Sequence, residues 1–381
     1  MTTRHKWQSK AALMAGHCAG MVDLVALPVW VGTLISHYRL DPQQAGALAT
    51  LFLAAAVAAS VLLALRIARL PGRWIAVAGF AVAAFAFYAL SQTTSYVALA
   101  LLHALAGAAA GSALSVVHGT IGRSDHPHRL FALAGLALGV FAIAFLASTP
   151  PLIQALGGPV LFKVFAGVMA VAAVIQLLAF PAAPAGVAAV LPALAKLPAA
   201  VWGGIAGIAC MALLQAMMFS FVERIGADRF GMAATAGVLI ALGFVNLTPA
   251  PLAAWLERRI SARSVVLAGP VVQAILAGVI AQSSVFAPYA VATSVFAAVM
   301  IFTHTFAFGL LSRLDPSGRA VAATPAMLMI GAAIGPVAGG TLVKHFGYGS
   351  LAVAAAAIAA LGITCFLRTR EPQSTVASVT A

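Results

Sequence analysis

The 381-residue chain is 63% hydrophobic and 8% charged, with a formal net charge of +13. Soluble domains carry roughly 25% charged residues, so this inventory excludes a water-facing surface. The 21 Lys and Arg are scattered along the chain rather than gathered on one module, which argues against a nucleic-acid partner. Apolar runs of roughly 20 residues between the charges match the length needed to cross about 30 Å of hydrocarbon. They are rich in Ala, Leu, Gly and Val and lack the alternation of a membrane β-barrel.

In chain order, a basic start (Arg4, His5, Lys6, Lys10) leads into an apolar run from Ala11 to His37, too long for a cleaved leader and read as a retained first span. Five more follow: Gln44 to Leu65, Trp74 to Thr94, Tyr96 to Ile121, Leu130 to Pro150 and Pro159 to Phe180. Pro181, Pro184 and a weakly polar stretch through Pro198 then mark a linker. The second set runs Ala199 to Phe221, Ala233 to Trp255, Ser264 to Gln282, Phe286 to Leu311, Ala320 to Val343 and Gly349 to Phe366. The expected fold is an all-α polytopic membrane protein of 12 transmembrane helices. Its two six-helix bundles occupy residues 1–181 and 199–381, joined by a cytoplasmic linker over 182–198, with a short cytoplasmic tail at the end. Counting Lys and Arg in alternate loops gives 16 on one side and 5 on the other, which places both termini in the cytoplasm and the protein in the cytoplasmic (inner or plasma) membrane. Cys18, Cys210 and Cys365 all lie in apolar runs and imply no disulfide framework.

Seven of the eight acidic residues, Glu223 among them, fall in loops or near span ends; Asp23 sits about twelve residues into the first span, where an acid costs roughly 2.5–3.5 kcal/mol. Such a group is a candidate proton carrier, and its alternative is a helix-to-helix hydrogen bond by a permanently protonated Asp. Helical spacing sets Gly16, Gly20, Asp23 and Trp30 on one face, with His17 about 120° away. His103, Gly107, Gly111 and His118 form a stripe on the fourth span, His118 close enough to its end to be solvated. In the second half the polar interruptions are Gln215, the Thr303-His304-Thr305 cluster and Asn246-Leu247-Thr248-Pro249-Ala250-Pro251, whose two prolines break or kink the eighth span. No Lys or Arg lies deep in a span, which disfavours an anionic solute. With Met211, Met217 and Met218 near Gln215, the cavity suits a neutral or cationic, partly apolar one.

Gly331-Ala332-Ala333-Ile334-Gly335-Pro336-Val337-Ala338-Gly339-Gly340 in the eleventh span resembles the G-x-x-x-G-P-x-x-G-G pattern of the major facilitator superfamily, and the resemblance extends over essentially the whole chain. Glu257, Arg258, Arg259 and Arg263 resemble the family's acidic-basic gating loop; Arg66, Arg69 and Arg73 keep the arginines of the first-half copy but have Ala68 where the family usually has Asp. Arg69 and Arg73 are then expected to pair with helix C-termini. His103 takes a position the family usually gives to Arg, and the fifth span has Gly135 and Gly139 without the Gly-Pro pair associated with proton-driven antiporters. The resemblance implies that the first, fourth, seventh and tenth helices line one central cavity. Asp23, His103, Gln215 and His304 are placed around it.

The expected activity is secondary transport of a small neutral or cationic amphipathic solute by alternating access, coupled to protons and directed to efflux. Asp23, His103 and His304 are the proton-coupling candidates, and Trp30, Gln215, Asn246 and Thr303 the substrate-binding ones. Arg69, Arg73, Glu257 and Arg258 are the gating residues. Proton-driven uptake of a small metabolite uses the same parts, and a transport-inactive receptor or scaffold is the rival from another class. No enzyme motif is present, and no metal or cofactor is called for. The expected partners are solute, protons and lipid, around a monomer.

Overall fold

The computed structural model describes residues 3–64, 71–124, 126–181, 198–315 and 319–369, with side chains except at 3–6, 64, 127–128 and 319–327. Arg66, Arg69 and linker residues 182–197 lie outside the described residues. Every regular element described is an α-helix, the economical solution where no water is at hand to satisfy backbone groups. The first group is α1 (Thr3–Gly20), α2 (Val22–Ser36), α3 (Pro42–Ala64), α4 (Gly72–Leu90), α5 (Tyr96–Gly122), α6 (Pro127–Leu156) and α7 (Pro159–Ala179). The second is α8 (Ala199–Phe230), α9 (Met232–Val245), α10 (Pro249–Leu256), α11 (Ala262–Gln282), α12 (Phe286–Leu314), α13 (Arg319–Phe346) and α14 (Gly349–Leu367).

Among the described residues eleven stretches are long and apolar enough to cross a membrane, α1 with α2 and α9 with α10 each counting as one. They fall on eleven of the expected spans; the remaining one, Ala320 to Val343, lies within α13. Two spans are broken. Pro28 inside α2 cannot donate to the carbonyl of Leu24 and crowds it, and with Gly20 just upstream the helix parts at Met21 (φ −107, ψ 21). The second break, at Asn246 to Thr248, precedes Pro249 and Pro251 as the sequence suggests.

Helix ends need correcting more than helix positions do. The seventh span was expected to stop at Phe221, but α8 continues to Phe230 and ends where Gly231 turns left-handed (φ 87). Glu223 is therefore no loop residue. Charged side chains are good helix formers, so the first charges mark no helix end.

The two groups meet along α2 with α8, α3 with α13 and α6 with α9. Glycines set these distances. A Cβ at Gly331 or Gly335 would strike the α8 backbone at Ala209 or Met217, one at Gly340 the carbonyl of Pro42, and one at Gly46 the carbonyl of Pro336. Gly339 fits against Met217 and Phe221. The glycines of α13 thus let it lie between α8 on one side and α3 of the other group on the other.

Candidate functional site

Asp23 stands in the first turn of α2, immediately after the break. The backbone N–H groups of Asp23 and Leu24 lie near its carboxylate, and the helix N-terminus favours a negative charge there. Among the described residues no side chain pairs with it. Asp23 is only half-buried, and a carboxyl at this depth is tolerated where it meets water or protein rather than hydrocarbon. The break parts Asp23 from the glycines expected to share its face: Gly16 packs on Val117 and Gln176, and Gly20 on Leu114.

Trp30 and His103 are brought together, away from solvent. Trp30 is 1% exposed and His103 0%. The Trp30 indole Nε1–H donates to His103 Nε2 at 3.2 Å, and His103 Nδ1 lies 2.7 Å from the carbonyl of Leu99, to which it donates. The imidazole is thus a neutral ring with both nitrogens engaged. It stacks on the indole, which is ringed by Phe52, Phe87, Phe162 and Phe165. This cluster is a dry core between α2, α3, α4, α5 and α7.

Across the molecule, Gln273 of α11 donates through Nε2 to Gln215 Oε1 at 3.0 Å and to the Met211 carbonyl at 3.3 Å. Gln273 is fully buried and its Oε1 has no partner; Asn246 Oδ1, at the α9/α10 break, is likewise buried without one. His304 is half-buried, with Nδ1 3.1 Å from the carbonyl of Met300. Thr303 points elsewhere, against Gly269. It lines a cavity of about 330 Å³ with Thr248, Leu252, Val265, Val272 and Phe302, between α10, α11 and α12. Leu252 and Val272 are themselves exposed, so this cavity opens on the outside of the bundle and is separate from the surroundings of Asp23.

The end of the bundle where α2 finishes and α3 begins is sealed between the groups. Lys344 donates to Asp41 Oδ2 at 3.0 Å and Gln43 Oε1 at 3.2 Å. Asp41 also caps α3, accepting from the Gln44 N–H at 2.9 Å while Gln44 Oε1 accepts from the Asp41 N–H at 3.2 Å. About two turns deeper, the Thr50 hydroxyl donates to the Ala333 carbonyl at 2.7 Å and accepts from the Val337 N–H at 3.2 Å. Near mid-bundle, Gly139 meets Leu247 and Gly243 meets Ile143. Among the gating candidates, Arg73 bonds to the carbonyl of Leu177 in the last turn of α7, a helix C-terminus as expected. Glu257 follows α10, and Arg259, rather than Arg258, packs over Trp255 at 4.4 Å.

Sequence reasoning missed Gln273, Thr50, Glu223 and the pair formed by His17 Nδ1 and His118 Nε2 at 2.9 Å. Gln273 had a signal, an amide in an apolar run. Thr50 had none, since its partners lie some 283 residues away.

Two groups of membrane-length helices, joined by glycine-tight contacts and holding polar groups at helix breaks, define a multi-pass integral membrane transport protein. A family model described as Major Facilitator Superfamily matches residues 12–316, and the chain belongs to that superfamily. No curated protein sequence matches it. Among solved structures, the nucleoside transporter NupG is similar with a TM-score of 0.75 at 14% identity, covering 97% of this chain and 100% of that one. A bacterial homologue of the human lysosomal transporter Spinster, in an inward-facing and occupied conformation, gives 0.71 at 13% identity, covering 97% and 95%.

Proposed function

We propose that the protein is a proton-linked secondary transporter that exports a small neutral or cationic amphipathic solute, acting as a monomer in the cytoplasmic membrane. Twelve spans form two domains, 1–181 and 199–381, joined by the 182–198 linker, and rock about the α2–α8, α3–α13 and α6–α9 contacts. With both termini cytoplasmic by the charge count, the sealed end faces outward and the arrangement is inward-open. The observation that carries the reading is Asp23: a half-buried carboxyl at a helix break within a span, with no side-chain partner among the described residues. Asp23 carries the proton. His304 lies on the solute path and modulates transfer. His103 acts at one remove, by fixing Trp30.

A second reading, proton-driven uptake of a small polar metabolite, is favoured by Gln215, a half-buried amide held in place by Gln273 and suited to a neutral hydrogen-bonding solute. The transport fold shared with NupG is compatible with either direction. The test is solute-dependent proton flux in proteoliposomes after a pH jump, across amphipathic cations, nucleosides, sugars and organic acids. Wild type is expected to show flux that Asp23→Asn abolishes, and the sign of the proton movement relative to the solute separates export from uptake. Equal flux in both proteins removes Asp23 as the carrier; no flux with any solute favours a receptor or scaffold.

A further inference from the structure

The transport reading makes no use of Glu223. This residue of α8 is 6% exposed and lies against Gly32 of α2, so close that a Cβ on Gly32 would overlap the carboxylate. Gly32 belongs to one group of helices and Glu223 to the other, so their contact is part of the seal. The nearest charges of the second group at this end are engaged. Arg224 pairs with Asp228 at 3.0 Å, and Asp228 accepts from the Tyr348 hydroxyl at 2.8 Å. Arg229 donates to the carbonyls of Ala281 at 2.6 Å and Ser283 at 2.9 Å, and Lys344 is held by Asp41.

Among the described residues, no side chain donates a hydrogen bond to Glu223 or forms an ion pair with it. The charged or titratable groups that face it are Arg224 and Asp228 on its own helix and Tyr289 from α12. The Tyr289 hydroxyl donates to the Val222 carbonyl at 2.7 Å. From α2 comes Gly32, without a titratable group. Lys344 of α13 and Tyr348, at the start of α14, are committed to Asp41 and Asp228.

An ionised carboxylate shut into this contact would lose most of its water and gain only the nearby charge of Arg224, which is already paired with Asp228, and that is strongly unfavourable. A protonated carboxyl fits there far more readily. Separating α2 from α8 would return water to the group and stabilise its ionised form. We propose that Glu223 is the proton sensor of this seal: the two groups close over it when its carboxyl holds a proton and part when that proton leaves to water on the same side. The inference rests on the alternating-access reading and deepens it. Gly32 lies nine residues beyond Asp23, about 13 Å along α2, so two carboxyls act in series, one reporting the state of the seal and one facing the interior.

The experiment is a pulsed electron–electron distance measurement between nitroxides at Ser36→Cys and His345→Cys, both exposed positions on opposite sides of the seal. Cys18, Cys210 and Cys365 are first replaced by Ser. On raising the pH from 5.5 to 8.5, the otherwise native protein is expected to gain a longer-distance population several-fold. Glu223→Gln is expected to keep the short distance throughout, and Asp23→Asn to respond as the parent does. A parent insensitive to pH, a Glu223→Gln variant that still responds, or loss of the response in Asp23→Asn overturns the proposal. If Glu223→Gln does not fold, Glu223→Asp serves instead, because a carboxyl one methylene shorter must shift the midpoint; an unshifted midpoint overturns the proposal equally. The measurement needs no solute. A pH response without flux would remove the transport reading and leave Glu223 standing, whereas flux without a pH response would do the reverse.

Discussion

The Trp30–His103 core and the Gln215–Gln273 pair are both polar contacts buried among apolar helices, yet they are built on opposite terms. Around Trp30 every donor meets an acceptor: the indole N–H, both imidazole nitrogens and the Leu99 carbonyl are all used, and aromatic rings close the space. Around Gln273 the donor is used twice and Oε1 not at all. A satisfied buried network fixes one arrangement of helices. An unsatisfied acceptor costs free energy until something donates to it, and a solute or a water can do so. On the proposed transport reading the first contact is scaffold and the second takes part in handling the solute.

The largest test of this contrast is Trp30→Ala. It removes the hub of the aromatic cluster and the donor to His103, and on the scale of large core truncations it should cost about 3–5 kcal/mol, read as a drop in thermal unfolding temperature in detergent. Trp30→Phe keeps most of the ring packing and loses the hydrogen bond, for about 1 kcal/mol. A loss well under 1 kcal/mol for Trp30→Ala would break the assignment of this cluster as scaffold. Gln273→Leu should behave in the opposite way. Because the amide leaves Oε1 unused, stability should change by no more than about 1 kcal/mol, while the KM for the carried solute shifts by about tenfold, the equivalent of one lost hydrogen bond of about 1.4 kcal/mol. An unchanged KM would move Gln273 to the scaffold side.

These differences also explain what the sequence could reveal. Helix positions were legible because a run of membrane length carries its own signal, and the α9/α10 break was legible because Pro249 and Pro251 announce it. The α1/α2 break was open to the same reasoning through Pro28 but was hidden by treating Ala11 to His37 as one periodic face. That single misreading put Gly16 and Gly20 on the face of Asp23, when the break parts them from it and leaves them packed on Val117, Gln176 and Leu114. Glu223 was lost for a related reason: the end of α8 is set by the backbone of Gly231 rather than by the first charge after the apolar run. What the polar residues bond to was not legible at all. Thr50 with Ala333, Gln273 with Gln215 and His17 with His118 are pairings of distant helices, fixed only when the bundle packs.

The smallest expected effect sharpens the role of the seal. Asp41 and Lys344 form an ion pair there, and each is about a third exposed, so the pair is worth only about 0.2–1 kcal/mol. Partial burial pushes the Asp41 carboxyl up, but this is outweighed by the Gln44 N–H, the Lys344 ammonium and the Gln43 N–H, which together hold it below the usual carboxylate range. A carboxyl lowered in the folded state contributes its stability above its unfolded value, near 4, and loses it only as pH falls through the lower folded one. Asp41→Asn should therefore widen the Ser36 to His345 distance distribution slightly and by the same amount at pH 5.5 and 8.5. Its effect should vanish only in stronger acid. An opening that responds to pH between 5.5 and 8.5 cannot originate at Asp41. If Asp41→Asn abolished that response, the two acids of the seal would have to be treated as one coupled unit, with Glu223 no longer the group whose proton decides closure.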